Sequence, residues 1–351
     1  MNTIGSILLL ILILCIIIFI HELGHFLTAK KAGVYVYEFS LGFGPKIWGF
    51  RRKNDETEYC LRCIPLGGFV SMAGETNSQE DDKKTKGKRL VEKKFLPHMS
   101  VLLAGVVMNF ILALVLLFFS GWIYGSPETK AIIGEVTMDT PAYFAGFTKG
   151  DEIVGVNGNK INTLEDLSLT LATIKNKEEI TFKLVSEDGF EREVKVKGEV
   201  IEKDGVKTYK YGFATSTTKQ KGLWNAMKYS VNKFGSLMAS MWDTLAYLFT
   251  GKVSVRELSG PIGMYSVVDS VKSTGLENIL YLLAFLSVNV GVINLIPIPV
   301  FDGGRALLLI IEKIKGGKLP EKVETTLDLI GFGIMILLML FVTVNDIFKL
   351  F

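Results

Sequence analysis

The stretch "IFIHELGHFL" (residues 18–27) places two histidines and a glutamate at the end of an apolar run. No charged residue occurs between Ile7 and Ile20, and the run approaches the length of about 20 residues that crosses a bilayer. Ionisable groups at membrane depth are costly and are functional by default. His21, Glu22 and His25 therefore require partners elsewhere in the chain that make this position tolerable.

The composition is that of a membrane protein with a sizeable aqueous part. The chain has 351 residues, of which 49% are hydrophobic and 21% charged, and its mean hydropathy is +0.35. These values are too apolar for an ordinary soluble enzyme and too polar for a chain that lies wholly in lipid. The formal charge of +3, without a basic patch, gives no sign of nucleic-acid binding.

Four segments have the length and apolarity of a membrane span, at about 4–25, 99–122, 279–298 and 329–348. An even number of spans places both termini on one side of the membrane. The first and last connections are rich in Lys and Arg, so the positive-inside rule places both in the cytoplasm. We therefore expect the termini and the long middle connection to lie outside.

The connections themselves carry recognisable patterns. Residues 35–50 and 57–72 are rich in β-branched, aromatic and glycine residues, which predicts a hairpin or small sheet. Residues 131–213 alternate as several strands around one helix at 163–176, as in a compact soluble domain. Residues 222–249 are amphipathic and aromatic, which predicts a helix along the membrane or against the bundle.

The polar cluster in the first span has the spacing of a metal site. His21 and His25 are four residues apart, so on a helix they lie on one face, one turn apart, and can hold one metal ion. H-E-x-x-H is the zinc metalloprotease signature, in which the glutamate, here Glu22, acts as general base. A catalytic zinc ion usually has three protein ligands, so a third must come from another span at similar depth.

The segment "NLIPIPVFDGGR" (294–305) offers that third ligand in Asp302, at the cytoplasmic end of the third span. Its prolines prevent a regular helix, and we expect Gly303 and Gly304 to supply unusual backbone dihedrals. His98, which is the remaining histidine, lies at the start of the second span and marks the interface better than it would serve a metal. Cys60 and Cys63 form a single C-x-x-C motif, and the chain has no second cysteine pair to complete a metal site. Strand spacing directs the two side chains to opposite faces, so we interpret both cysteines as structural.

H-E-x-x-H in the first span and N-x-x-P-x-P-x-x-D-G in a later one resemble the site-2 protease family of intramembrane zinc metalloproteases, in its RseP-like bacterial branch. The resemblance covers nearly the whole chain, although Phe301 stands where the family usually has Leu. It implies a multi-span α-helical membrane protein with four transmembrane helices, a cytoplasmic-side re-entrant β region and one extracytoplasmic α+β PDZ domain. The implied domains are 1–124 with the first two spans, 125–215 as the PDZ domain, 216–275 as an amphipathic membrane-associated helix and linker, and 276–351 with the last two spans.

The resemblance also implies roles for residues. It makes His21, His25 and Asp302 the ligands of one zinc ion and Glu22 the catalytic base. It assigns contact with the substrate backbone or the developing oxyanion to Asn294, Pro297, Pro299, Gly67, Gly68 and Phe69. The implied substrates are transmembrane helices of single-span proteins in the bacterial cytoplasmic membrane, such as anti-sigma factors already cut by an upstream protease, or signal-peptide remnants.

Two other classes of function remain open at this point. A zinc-dependent membrane sensor or receptor would bind the ion without cleaving, but such a site has no need of Glu22. A transporter would also place broken helices and polar groups at membrane depth, but the spans show no internal repeat.

Overall fold

The computed structural model of the chain describes residues 3–75, 85–127, 129–174, 178–203, 206–216, 218–251 and 260–348. Part of the linker predicted within 216–275, at 252–259, and the end of the helix predicted at 163–176 lie outside these ranges. The chain separates into two compact units, one formed by Met1–Leu116 with Val255–Phe351 and the other by Leu117–Ser254.

Helices make up most of the first unit. The helices of the chain are α1 (Thr3–Lys31), α2 (Phe95–Tyr124), α3 (Pro141–Phe144), α4 (Leu164–Thr173), α5 (Leu223–Phe249), α6 (Pro261–Val271), α7 (Leu276–Leu295), α8 (Asp302–Lys315) and α9 (Glu321–Phe348). Within the described ranges, α1, α2, α7 and most of α9 are long and apolar enough to cross a membrane, which confirms the predicted number of such segments.

Most of the strands belong to the second unit. They are β1 (Val36–Arg51), β2 (Glu58–Met72), β3 (Ser126–Pro127), β4 (Ile133–Val136), β5 (Glu152–Val156), β6 (Asn159–Lys160), β7 (Glu179–Val185), β8 (Glu191–Lys197), β9 (Glu199–Lys203), β10 (Val206–Lys210), β11 (Phe213–Thr215) and β12 (Lys219–Gln220). Of the strands within the described residues, β1 and β2 alone belong to the first unit, where they form the predicted hairpin.

The two long strands of this hairpin are strongly bent. Residues 38–41 of β1 have partners on both sides; Phe39, for example, lies opposite both Val70 and Tyr59. Among the described residues, 68–72 pair with another strand on one side only. The hairpin packs on the second half of α1 through a core that includes Phe26, Phe39 and Val70.

The first half of α1 packs against α6 and α7. Ile13 and Ile17 are buried against Val268 of α6 and against Leu282 and Leu283 of α7. α7 ends at Leu295, earlier than the predicted span end at 298, because Ile296 precedes Pro297 and adopts an extended backbone. A short turn then leads into α8, which begins at Asp302.

Glycines at the start of α8 act differently from the prediction. The expectation of unusual dihedrals at Gly303 and Gly304 is wrong, since both are helical and neither has a positive φ. Their value is close approach: a Cβ on Gly303 would lie 2.2 Å from the Leu295 carbonyl oxygen, and one on Gly304 would lie 2.0 Å from that of Ile298. The lack of side chains therefore lets α8 fold back tightly against the turn.

The second unit has its own hydrophobic core. A four-stranded antiparallel sheet in the order β6-β5-β7-β8 packs on α4, with Ile153, Phe182 and Leu167 among the buried residues. Thr163 caps α4 by accepting a hydrogen bond from the Asp166 backbone N–H at 3.1 Å. Helix α5 follows the domain, and its Lys233 pairs with Glu165 of α4.

Candidate metal centre

Three ligand-type side chains of the first unit converge at the end of the apolar part of α1. Asp302 Oδ2 lies 3.2 Å from His21 Nε2 and 3.3 Å from His25 Nε2, and the two Nε2 atoms are 3.2 Å apart. The histidine side chains are 11% exposed and the aspartate 18%. Among the described residues, no other group of three or more His, Cys, Asp or Glu is placed to share a metal ion, and His98 is not part of this one.

The arrangement fits a metal ion better than it fits hydrogen bonding. Three lone-pair atoms face one another, and a single proton can bridge only one pair of them. Asp302 Oδ2 has no other hydrogen-bond partner in the described part of the chain. A tetrahedral zinc site with bonds of about 2.0–2.1 Å has ligand–ligand edges of about 3.3–3.4 Å, close to the observed separations. Nitrogen and carboxylate oxygen are also donors that zinc accepts.

Helix α2 supports the two histidines. His25 Nδ1 donates to the Val101 carbonyl at 2.8 Å, which holds the proton on Nδ1 and leaves Nε2 free. The Asn109 amide lies 3.3 Å from His21 Nδ1. Gly105, between these two residues, lets the imidazoles approach: a Cβ there would lie 2.4 Å from His25 Nε2 and 2.6 Å from His21 Cε1.

The start of α8 is also tied to the hairpin. Arg305, one turn after Asp302, pairs with Glu75 just beyond β2 at 2.6 Å. The contact joins the segment that carries Asp302 to the region that packs on α1.

Glu22 lies where the hairpin meets α1. A Cβ built on Gly68 would be 3.1 Å from Glu22 Cγ and 3.3 Å from Ile18 Cγ2, so β2 passes directly over the carboxylate-bearing residue. Cys15 donates to the Pro65 carbonyl at 3.0 Å and continues this contact along α1. The edge of the hairpin at 68–72 is therefore near the predicted catalytic base.

The remaining predicted site residues occupy the borders of this region. The Asn294 amide donates to the Val290 carbonyl, one turn earlier in α7, and Pro297 and Pro299 lie in the turn before α8. Gly67 lies under the ring of Phe43, where a Cβ would clash at 1.8 Å, and Phe69 stacks on the same ring at 6.4 Å. Among the predicted site residues, the structure brings the two histidines into contact with Asp302 and places Glu22 against Gly68.

The sequence alone leaves the role of the supporting residues on α2 open. Val101, Gly105 and Asn109 are four residues apart, so they lie on one face of the helix. The segment "AGVVMN" (104–109) resembles a small-residue motif of the family, but plain helix packing explains such a motif equally well. Only the contacts with the histidines distinguish a supporting role from plain helix packing.

The cysteine pair takes no part in the centre. Cys60 is buried, Cys63 is exposed, and both are free thiols. Burial, together with the nearby Glu38 carboxylate, raises the pKa of the Cys60 thiol to about 11, which disfavours the thiolate form that binds metals.

Known proteins resemble this chain over most of its length. The profile of Peptidase family M50 matches residues 9–338. The chain therefore belongs to peptidase family M50. It is 31% identical to the regulator of sigma-W protease RasP of Bacillus subtilis, over 99% of both chains. It is 35% identical to a putative zinc metalloprotease of Fusobacterium nucleatum, over 97% of this chain and 98% of the relative. A putative zinc metalloprotease of Clostridium perfringens is 33% identical, over 94% and 95%.

These findings confirm the resemblance to the site-2 protease family. This M50 peptidase is a zinc metalloprotease, and its relatives do not favour a non-proteolytic sensor. Its apolar helices and bacterial relatives indicate a protein of the inner membrane.

The role of Gly105 in this M50 peptidase can be measured directly. We expect Gly105→Ala to weaken zinc binding by about 10–100-fold, the range seen when supports of metal ligands are lost, because the new methyl displaces both imidazoles. Zinc affinity by chelator competition is the measurement. Gly333→Ala is the matched control in another membrane-length helix, since a Cβ there meets nothing within 4 Å. Equal affinity in the two variants would show that the imidazoles have room to spare.

Proposed function

We propose that this chain is an intramembrane protease that cleaves peptide bonds within the transmembrane segments of single-span membrane proteins. His21, His25 and Asp302 hold one zinc ion, and Glu22 is the catalytic base. The observation that carries the proposal is the approach of three ligand atoms to within 3.3 Å at the polar end of a membrane-length helix.

The chain's residues divide the chemistry among them. A bound zinc ion supplies Lewis-acid polarisation of the scissile carbonyl and acidifies water toward a pKa of about 7. Glu22 takes the proton from the attacking water and later donates it to the leaving amine. Asn294, with Pro297 and Pro299 in the irregular segment after it, holds the substrate backbone or the developing oxyanion.

The hairpin is proposed as the re-entrant region that receives the substrate. A transmembrane helix protects its carbonyls by internal hydrogen bonds and must be unwound before attack. The edge at residues 68–72 can supply replacement backbone hydrogen bonds by strand addition, next to Glu22. Exposed apolar side chains at the bend, with Ile47 63% and Trp48 58% exposed, suit a hairpin that dips into lipid. Gly67, Gly68 and Phe69 form the beginning of this substrate edge.

The distribution of basic residues supports a cytoplasmic active site. Lys30 and Lys31 end α1 directly after the polar cluster, and Lys313 and Lys315 end α8. By the positive-inside rule these ends lie in the cytoplasm of a bacterial cell, and both termini lie outside.

Residues 125–215 are proposed to form an extracytoplasmic PDZ domain that filters substrates. The small sheet and capped helix α4 support this assignment. The domain would admit chains already trimmed outside by another protease, such as anti-sigma factors. The name of the Bacillus subtilis relative, regulator of sigma-W protease, is consistent with such substrates.

Helix α5, in the proposed segment 216–275, suits the membrane surface. Its Trp224, Val231 and Trp242 are exposed, while Lys233 on another face is buried beside Glu165. Brominated lipids are therefore expected to quench the fluorescence of Trp224, measured with Trp224→Phe as the blank. Absence of this quenching would argue against the placement.

The function is tested with purified full-length protein in lipid vesicles and a single-span substrate that carries a photo-crosslinker beside its helix-weakening residues. We expect cleavage within the span, mapped by mass spectrometry, and crosslinks to the stretch 67–72. Cleavage confined to the soluble flanks of the substrate would contradict the proposal, and crosslinks elsewhere would contradict the role of the hairpin.

In the same assay, deletion of residues 131–213 is expected to broaden substrate choice while zinc-dependent hydrolysis survives. The deleted variant should cut substrates with large outer domains at rates within about tenfold of trimmed ones, because nothing remains to exclude them. The intact chain, measured on the same pair, is the control. A folded deletion variant that cleaves neither substrate would count against a filter and in favour of a catalytic contribution from this domain.

A further inference from the structure

One buried amide beside the metal centre has an orientation that its surroundings do not fix. Asn109 is 0% exposed on α2, and its Nδ2 lies 3.3 Å from His21 Nδ1. Its Oδ1 is also buried and has no hydrogen-bond partner within the described ranges. No second contact of the oxygen therefore selects one amide orientation over the other.

The orientation matters for His21. An amide N–H that donates to Nδ1 requires Nδ1 to be unprotonated, which places the imidazole proton on Nε2. Nε2 is the atom that faces His25 and Asp302, and a protonated nitrogen has no lone pair for a metal. His25 shows the productive arrangement, because its Nδ1 faces a carbonyl oxygen, which can only accept.

We infer that the Asn109 amide is turned, so that Oδ1 accepts a hydrogen bond from His21 Nδ1–H. The oxygen and nitrogen of an amide have nearly the same shape, so the turn needs no other movement. His21 Nε2 then presents its lone pair toward the site. Asn109 is in this sense a positioning residue that selects the metal-binding tautomer of His21, and the inference rests on the proposed zinc centre.

The backbone of Asn109 is held for this task. Its carbonyl accepts a hydrogen bond from Ser287 Oγ of α7 at 2.9 Å, and Ser287 is fully buried. The contact joins α2 to the helix that leads into the Asp302 segment. The amide therefore occupies a fixed place between the helix that carries the histidines and the chain that carries the aspartate.

The test compares substitutions that keep or remove the acceptor. Asn109→Asp retains an oxygen that can accept from Nδ1–H, whereas Asn109→Leu has similar size without an acceptor, and Asn109→Ala removes the group without adding bulk. In full-length protein we expect Asn109→Asp to bind zinc within about threefold of wild type, and Asn109→Leu and Asn109→Ala to bind zinc about 10–100-fold more weakly. Chelator competition gives the affinities, and the visible absorption of the cobalt-substituted protein reports the ligand geometry.

The outcomes separate this inference from the zinc centre itself. Asn278→Leu, at an exposed position of α7, is the control and should leave zinc affinity unchanged. If the Asn109→Leu variant does not fold, Asn109→Ala carries the comparison. The inference is overturned if both acceptor-free variants bind zinc within twofold of wild type, or if Asn109→Asp binds zinc as weakly as they do. Loss of zinc in Asp302→Ala together with either result would leave the zinc centre standing and remove only the role of Asn109.

Discussion

Replacing Glu22 by Gln is expected to leave zinc binding intact and to slow cleavage of a transmembrane substrate by about 10²–10⁴-fold, the usual contribution of a general base. The amide has the size of the carboxylate but cannot take a proton from water. Glu22 lies between the two histidines in sequence and against Gly68 of β2, so the substitution changes chemistry and leaves the packing as it is. The measurements are single-turnover cleavage and zinc content of the same preparation.

Glu187→Gln is the matched control for this variant, because Glu187 is exposed at the turn between β7 and β8 of the other unit. It should cleave like wild type. If Glu22→Gln retained more than a tenth of the wild-type rate, another group would have to act as base. If it lost zinc, Glu22 would be part of the coordination sphere.

Replacing Asp302 by Ala is expected to abolish both zinc retention and cleavage. A catalytic zinc ion usually needs three protein ligands, and removal of the carboxylate leaves the two imidazoles alone. Loss of a group that merely supports a ligand costs about 10–100-fold in affinity, so loss of the ligand itself should cost more than about 100-fold. Metal analysis after dialysis against a weak chelator is the measurement.

A chelation series distinguishes this loss from simple unfolding. Wild type stripped of zinc should lose cleavage and regain it with one equivalent of zinc, whereas Asp302→Ala should not recover. Asp188→Ala, at an exposed turn position, should behave as wild type throughout. Full zinc occupancy in a folded Asp302→Ala variant would remove Asp302 from the ligand set and refute the centre as drawn.

Much of the fold follows from patterns that are local in the chain. The apolar stretches identify four membrane-length helices because about 20 apolar residues suffice to cross a bilayer, wherever they occur. The spacing of His21 and His25 places them on one helix face for the same local reason. The prolines after Asn294 predict the end of α7. The helix in fact stops at Leu295, whereas the sequence alone placed the end of the span at 298.

The sequence by itself therefore determined the helices, the zinc protease signature and Asp302 as a candidate partner for the two histidines. Only the tertiary structure decided that these groups meet within 3.3 Å, that Gly105 and Gly303 matter for close approach, and that Asn109 faces His21. Helix periodicity relates residues a few positions apart, whereas the gap between α1 and α8 depends on how side-chain volumes from distant segments fill it. That packing is a property of the assembled helices, and no single stretch of the chain encodes it.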